Sequence, residues 1–162
     1  MTAAGEVTLR RGLQEDWPGV QALLREIDEL HAGLAPTFFR SAPRAELEWR
    51  RLLGDAHGAA IVAAEGPAAP AVLGLVAVRV YDTPPEPLMH PRRRGHVETL
   101  VVAAPHRRRG IGSRLLAAAS EWARARGATE MVLTAWSGND DADAFYERHG
   151  YRVLSRVLYA AL

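Results

Sequence analysis

One stretch near the middle of the chain combines a strand pattern, a tight turn and a helix pattern. Val97–Val102 is an apolar run interrupted only by Glu98 and Thr99, and the turn that follows ends in Arg107–Gly112, which reads Arg-Arg-Arg-Gly-Ile-Gly. From Ile111 to Trp122 apolar residues recur every three or four positions, which is the spacing of an amphipathic helix. The order therefore predicts a strand that leads through a short turn into the N-terminus of a helix.

Arginines at a helix N-terminus are electrostatically unfavourable. The first N–H groups of a helix have no backbone partner, and the helix dipole is positive there, so a cation costs about 0.3–1 kcal/mol. An anion bound between Arg107, Arg108 and Arg109 would remove that cost, and Gly110 and Gly112 let it approach the backbone. We expect a phosphate or pyrophosphate site here. The alternative is a solvated arginine cluster whose glycines only shape the turn.

Composition limits the class of protein. The 162 residues predict a single domain over residues 1–162, and the 48% apolar and 24% charged residues are ordinary for a globular protein. A net charge of +1 gives no overall field that would attract nucleic acid or a membrane. The absence of cysteine excludes disulfides and a cysteine nucleophile, and the six histidines lack metal-ligand spacing, so we expect no metal. Met1–Glu6 lacks a signal-peptide pattern, and a cytoplasmic protein is expected.

The rest of the chain predicts alternating strands and helices. The expected helices are a long one that begins near Asp16 or Trp17 and ends at Gly33 and Pro36, then Arg44–Leu53, Ile111–Arg126 and a short one within Asn139–His149. The expected strands are Val7–Arg10, Ala59–Ala64, Val72–Tyr81, Val97–Val102, Glu130–Ala135 and Tyr151–Leu158, with a turn at Gly66–Pro70 and a flap at Asp82–Gly95. A hairpin followed by crossover helices predicts an α/β fold. Its sheet is mixed, mostly antiparallel, with helices on both faces.

Two motifs resemble those of a known family. Arg107, Gly110 and Gly112 fill the pattern Arg/Gln-x-x-Gly-x-Gly/Ala of the cofactor loop in the GCN5-related N-acetyltransferases. The run from Asn139 through Tyr146 to Tyr151 is similar to the family's second signature, N-x-x-A-x-x-F-Y-E-x-x-G-F. The order of elements also matches the family's fold, although the specific motifs lie only between Glu98 and Tyr151.

The resemblance implies acetyl-CoA as co-substrate and assigns residues to it. The diphosphate would be held by Arg107, Arg108, Arg109, Gly110, Ile111, Gly112 and Ser113. Main chain of Leu100, Val101 and Val102 would contact the pantetheine arm, as would the Asn139 amide. The Tyr146 hydroxyl would protonate the departing thiolate.

Glu98 is the second expected catalytic residue. By strand alternation it shares a face with Leu100 and Val102, and a buried carboxylate is costly unless it is paired or protonated. In the family, a glutamate at this position often helps to remove the proton of the acceptor amine. The alternative is a strand-end glutamate in a salt bridge with an arginine of the flap.

The expected function is transfer of an acetyl group from acetyl-CoA to a primary amine of a small molecule, polyamine or peptide. The amine would attack directly in a ternary complex, entering near His31–Phe39 and the flap. A non-catalytic acyl-CoA-binding sensor is the main alternative. A nucleic-acid-binding module is disfavoured because aromatic residues do not interleave with the arginines. A homodimer could form through Arg152–Leu162, although core burial would explain its apolar residues equally well.

Overall fold

The computed structural model describes residues 6–66 and 71–162. In these ranges the strands are β1 (Val7–Arg11), β2 (Gly58–Glu65), β3 (Ala71–Asp82), β4 (Arg93–Val102) and β5 (Glu130–Leu133). The α-helices are α1 (Trp17–Leu34), α2 (Glu46–Gly54), α3 (Ile111–Arg124) and α4 (Asp140–Arg148). Short 3₁₀ turns at Gln14–Asp16 and Ala104–His106 precede α1 and α3.

The strands form a single sheet in the order β1-β2-β3-β4-β5. Strands β1 to β4 pair antiparallel, whereas β5 pairs parallel to β4, which requires the crossover through α3. The predicted mixed, mostly antiparallel sheet is confirmed.

Each face of the sheet has its own apolar core. On one face α3 packs Leu115 and Ala119 against the sheet, and on the other α1 and α2 contribute Val20, Leu23 and Trp49. Periodic apolar residues on α1 and α3 give this arrangement because each helix buries only one stripe. The prediction of helices on both faces is therefore confirmed.

A buried ion pair fixes the start of α1. Arg10 on β1 donates to Asp16 through both terminal guanidinium nitrogens at 2.7 Å, and the Leu13 N–H donates to the same carboxylate at 2.8 Å. Burial alone would raise the pKa of Asp16, but the hydrogen bonds from Arg10 and Leu13 outweigh it and hold that pKa below its usual value. The Trp49 indole N–H also donates to the Leu13 carbonyl, so α1 and α2 are joined at this corner.

Two predicted elements differ in the structure. The prediction of a last strand at Tyr151–Leu158 is wrong, because residues 151–162 have no strand partner among the described residues and are irregular. The flap is shorter than expected: Asp82 on β3 pairs in register with Arg93 on β4, so the connection spans only residues 83–92. The ion pair between Arg93 and Asp82 extends the ladder into the predicted loop.

Some element ends differ slightly from the sequence prediction. Helix α3 ends at Arg124 and β5 at Leu133, both slightly earlier than the apolar patterns indicated. The turn expected at Gly66–Pro70 lies, over residues 67–70, outside the described residues. None of the described helices combines the length and the apolar character needed to cross a bilayer.

Candidate active site

The backbone between β4 and α3 is shaped for an anion. Gly110 caps α3 with a φ of 78°, and Arg108 is also left-handed, at φ 61°. In the described residues no side chain caps the α3 N-terminus, so its first N–H groups remain open. A Cβ on Gly110 would have no heavy atom within 4 Å, and one on Gly112 would meet only Phe145 and Val102, at 3.5 Å and beyond. The space in front of this turn therefore suits a ligand that needs close contact with the backbone.

The three arginines of this turn point in different directions. Arg107 is turned inward: its Nε donates to the Val102 carbonyl at 2.8 Å and a terminal nitrogen meets Glu26 on α1 at 3.1 Å. Arg108 forms an exposed ion pair with Asp141 on α4, and Arg109 contacts only the His106 ring among the described residues. Arg108 and Arg109 are thus available to an anion, while Arg107 fastens the turn to α1.

Strand β4 has an open edge on the side of β5. The pairing with β5 covers only Arg94–Val97 against Glu130–Leu133, so the two strands separate after Val97. The backbone from Glu98 to Val102 has no β5 partner among the described residues, whereas on the other edge residues 99–102 pair with β3. This edge could bind an extended, amide-containing chain as an added strand.

Glu98 does not share a face with Leu100 and Val102, and that prediction is wrong. The register with β3 shifts at this point, from Ala77 opposite Thr99 to Val78 opposite Val97, so Glu98 is the extra residue of a β-bulge. Leu100 and Val102 pack toward α3. Glu98 and Thr99 instead line a cavity on the face of α1 and α2.

The cavity on the α1 and α2 face has a volume of about 390 Å³. Its apolar part comes from residues such as Trp17, Leu24 and Trp49. Its polar part contains equal numbers of arginines and carboxylates: Arg44, Arg51, Arg79, Glu48, Asp55 and Glu98. The lining includes no residue of His31–Phe39 or of the flap, where the sequence placed the acceptor entrance.

Arg79 organises the carboxylates of this cavity. Its Nε donates to Oε1 of Glu98 at 3.0 Å, and its Nη1 pairs with Asp55. The Glu98 side chain is 34% exposed, so it is not buried. Its ion-pair partner is Arg79 on β3 and not an arginine of the flap. The hydrogen bond to Glu98 raises the pKa of Arg79, while the His57 N–H and the Arg79 charge hold the pKa of Asp55 below its usual value. The Glu98 carboxylate is therefore oriented by the Arg79 guanidinium, which Asp55 also holds in place.

Tyr146 lies on α4 against the opposite core. Its ring packs at right angles on Phe145 and near Tyr151, in the cluster that includes α3. Burial, and then the nearby Tyr151, raise the pKa of Tyr146 to about 12. Its hydroxyl therefore stays protonated at any pH at which the protein would work, so it can donate a hydrogen bond but cannot act as a base.

Helices α3 and α4 are joined by side chains that the sequence motifs only partly indicated. The Asn139 carbonyl oxygen accepts from the Ala142 N–H at 3.2 Å, which makes Asn139 the N-cap of α4. Ser113 on α3 meets His149 Nε2 at 3.0 Å, and His149 Nδ1 lies 2.8 Å from the Phe145 carbonyl oxygen. His149 received no role from the sequence, because a residue this far along the chain from Ser113 gives no spacing signal. It holds the end of α4 against the anion-shaped turn.

These features fit a coenzyme A-type ligand. The open α3 N-terminus and two available arginines suit a diphosphate, and the unpaired β4 edge that leads to them suits a pantetheine arm. Residues 6–66 and 71–162 contain no cluster of three or more histidine, aspartate or glutamate side chains that could hold a metal ion.

Comparison with known proteins places the chain in a family. The profile of the acetyltransferase (GNAT) family matches residues 21–151. The chain therefore belongs to the GNAT acetyltransferase family, whose general activity is acetyl transfer. A search of curated proteins finds no match.

Solved structures share the fold at low identity. A mutant of the BH1408 protein from Bacillus halodurans superposes with a TM-score of 0.89 at 22% identity, covering 96% of this chain and 99% of that one. The aminoglycoside 6'-N-acetyltransferase AAC(6')-Ih from Acinetobacter baumannii gives 0.72 at 18% identity, covering 97% and 98%. The aminoglycoside N-acetyltransferase AAC(6')-Iy, solved with CoA, gives 0.71 at 14% identity, covering 96% and 98%.

Proposed function

We propose that the protein transfers an acetyl group from acetyl-CoA to a primary amine by direct attack in a ternary complex. The observation that carries the proposal is the open edge of β4, which lies between an anion-shaped turn and a cavity that contains a carboxylate. Membership of the GNAT family and a structural neighbour that binds CoA support the donor. A cytoplasmic location stays a prediction.

The turn and the β4 edge would hold the donor. Arg108 and Arg109, with the first N–H groups of α3, would bind the diphosphate, and Arg107 would keep the turn in place. Backbone groups of Leu100 and Val101 would bind the pantetheine arm, since the Val102 carbonyl already accepts from Arg107. Acetyl-CoA supplies an activated thioester, and a backbone N–H at this edge would polarise its carbonyl.

Glu98 would receive the proton of the acceptor amine. Arg79 occupies Oε1, and Oε2 meets no donor among the described residues. This second oxygen would accept the proton directly or through a water. Arg79 holds the carboxylate in place through Oε1, whereas the sequence suggested a buried carboxylate.

Tyr146 would stabilise the departing sulfur without giving up its proton. A thiol has a reference pKa of about 8.5, whereas burial raises the pKa of Tyr146 to about 12. Full proton transfer from the phenol would therefore be uphill by about 5 kcal/mol. A hydrogen bond from the hydroxyl to the sulfur lowers the barrier, and solvent then protonates the thiolate.

The balance of charge in the cavity indicates the class of acceptor. With arginines and carboxylates in equal number, the lining has no excess negative charge to attract a polycation. We expect a small amine, or an amine that carries its own anionic group, to be acetylated faster than a polyamine or an aminoglycoside. The peptide N-terminus remains within this class.

The deciding experiment is an amine panel with acetyl-CoA, read as release of free thiol. The chain contains no lysine, so acetylation of its own side-chain amines cannot produce thiol in the assay. Binding of acetyl-CoA without thiol release for any amine would favour the non-catalytic sensor instead.

Tyr146→Phe tests the mechanism within that assay. We expect kcat to fall about a hundredfold while the Kd for CoA changes by less than about twofold, since the hydrogen bond acts on the departing sulfur. Tyr81→Phe is the matched control, because Tyr81 contacts His96 and lies away from the turn and from α4. A Tyr146→Phe rate equal to that of the control would remove Tyr146 from the mechanism.

A further inference from the structure

Helix α2 turns one of its faces toward the cavity described above. Arg51 and Leu52 lie on that face, together with Glu48 one turn before them. Arg50 belongs to another face: it does not line the cavity, and its guanidinium pairs with Glu46 at 2.9 Å. Two neighbouring arginines of one helix thus have different surroundings, and only Arg51 faces the cavity.

The three arginines of the cavity differ in their partners. Arg44 donates to both carboxylate oxygens of Asp28, at 2.8 and 2.5 Å. Arg79 is shared between the two carboxylates described above. Arg51 is exposed and pairs with no carboxylate among the described residues. The lining therefore contains one arginine that no structural ion pair holds.

Glu48 is the remaining carboxylate of the lining, and it does not neutralise Arg51. The hydrogen bond to Asp28 raises the pKa of Arg44, and the charge of Glu48 adds to that effect. Glu48 thus acts on Arg44, and among the described residues it forms no ion pair with Arg51. Arg51 remains open to an anion from outside the chain.

The open charges of the cavity come from different walls. Arg51 belongs to α2, whereas Glu98, with its open Oε2, belongs to β4 in the sheet. Both walls also contribute apolar side chains to the lining, such as Leu52 from α2 and Leu75 from β3. A cavity of about 390 Å³ that combines apolar walls with a few polar groups is typical of a small-molecule site.

We propose that the acceptor is an aliphatic amine that carries a carboxylate, and that Arg51 binds this carboxylate while the amine lies at Glu98. The proposal rests on the proposed acetyl transfer and narrows its acceptor to one chemistry. A guanidinium binds a carboxylate through paired N–H donors, and the apolar walls suit the spacer between the two charged ends. A doubly charged phosphate fits less well, because three carboxylates already line the cavity.

The carboxylate of the acceptor takes no part in the bond changes. The amine nitrogen bonds to the thioester carbonyl carbon, the carbon–sulfur bond breaks, and the proton of the amine passes toward Glu98. Arg51 is therefore a specificity-determining residue, and its substitution should change which amines are acetylated.

The test uses pairs of acceptors that differ in one charge. A series of ω-amino acids of increasing chain length is assayed beside the neutral primary amides of the same lengths, with thiol release from acetyl-CoA as the readout. At the best length we expect kcat/KM to be about tenfold higher for the acid than for the amide. Arg51→Gln should reduce this ratio to about one. Arg50→Gln is the matched control and should keep the wild-type ratio, because Arg50 lies outside the cavity.

Charge reversal at the same two positions gives a stricter form of the test. Arg51→Glu should make a diamine of the best length a better acceptor than the amino acid, because the second ammonium would then meet a carboxylate. Arg50→Glu should leave the order of the acceptors as it is in the wild type. Circular dichroism confirms that all four variants are folded.

Equilibrium binding separates the failure of this inference from the failure of acetyl transfer. Trp17 and Trp49 line the cavity, so tryptophan fluorescence reports its occupancy by the same acids and amides with CoA present. Without thiol release from any amine, binding that favours the acid and depends on Arg51 would overturn acetyl transfer and support the carboxylate site. Thiol release without a preference for the acid would overturn the carboxylate site alone, as would a preference that Arg51→Gln retains as fully as Arg50→Gln. The absence of both thiol release and preferential binding would overturn both proposals.

Discussion

Strand β4 is flanked by two runs of three arginines that the structure uses in opposite ways. At its start, Arg92 and Arg94 both pair with Glu130, and Arg93 pairs with Asp82. Beyond its end, Arg107 is fastened inward, Arg108 has only an exposed partner, and Arg109 meets no carboxylate among the described residues.

The difference teaches that a cluster of arginines is not in itself an anion site. The first run stitches β3, β4 and β5 together, and its Arg94 side chain is only 18% exposed. The second run stands before an uncapped helix, and its Arg108 side chain is 75% exposed. An anion site needs arginines that are exposed and not held by a structural ion pair, beside backbone N–H groups that are themselves unpaired.

Charge reversal should have the largest effect on CoA affinity at the second run, residues 107–109, and little effect at the first, residues 92–94. Arg108→Glu/Arg109→Glu should raise the Kd for CoA about a hundredfold, because two charge-assisted contacts are lost, at about 1.5 kcal/mol each. Arg92→Glu/Arg93→Glu should leave the Kd within about twofold while lowering Tm. Isothermal titration calorimetry and thermal unfolding check both, and equal losses of affinity would erase the distinction.

Glycine substitutions at the two ends of α3 sharpen the comparison at the backbone. Gly110 (φ 78°) lies at the arginine turn, and Gly127 (φ 83°) follows α3 beside Arg93 of the first run. Alanine costs about 1 kcal/mol of strain at either position, because both are left-handed. Only Gly110→Ala should also weaken CoA binding, by about tenfold, since its methyl group enters the space for the anion. Matched affinity losses in the two variants would show that the effect is general destabilisation.

The free energy of unfolding should depend more on the first arginine run than on the second. Arg94→Ala should lower the free energy of unfolding by up to about 1 kcal/mol, because Arg94 bridges β4 to Glu130 on β5 with a largely covered side chain. Arg109→Ala should leave the free energy of unfolding nearly unchanged, since its one hydrogen bond among the described residues is an exposed one to His106. Urea denaturation of the two variants gives the comparison, and a larger loss for Arg109→Ala would contradict it.

The smallest expected effect is a pH dependence confined to the first run. The hydrogen bond from Arg93 holds the pKa of Asp82 below its ordinary value of 3.8, so the folded state favours the charged carboxylate. The stabilisation is fully present above that ordinary value and is lost as pH falls through the lower, folded-state pKa. Asp82→Asn should therefore flatten the decrease of Tm with acid slightly, and Arg93→Ala should do the same. Unchanged acid profiles in both variants would exclude this contribution.

Local sequence patterns predicted most of the fold. The long helix expected from near Asp16 or Trp17 is α1, and its periodic apolar residues Val20, Leu23 and Leu24 are buried, although Leu30 near its end is 43% exposed. The pattern also gave the hairpin of β2 and β3 and the turn from β4 into α3. These elements are specified by neighbours within a few residues, which is the range that periodicity reports.

The parts that were missed depend on contacts between distant residues. Alternation placed Glu98 on the wrong face because a bulge depends on pairing with Ala77 and Val78, which the strand's own sequence does not reveal. The partnership of Glu98 with Arg79 and Asp55 is non-local for the same reason. Residues 151–158 were expected to form a strand, but they pair with no other strand among the described residues, and pairing with a distant segment cannot be read from a local pattern.

The extra residue in β4 decides which side chains of this strand face the cavity. Upstream and downstream of Glu98 the side chains alternate out of phase, so two consecutive residues, Glu98 and Thr99, face the cavity while Val97 and Leu100 pack toward α3. Deleting Glu98 would restore regular pairing of Val97 and Thr99 with β3 and leave the flanking side chains on their present faces, but it would remove the carboxylate from the cavity.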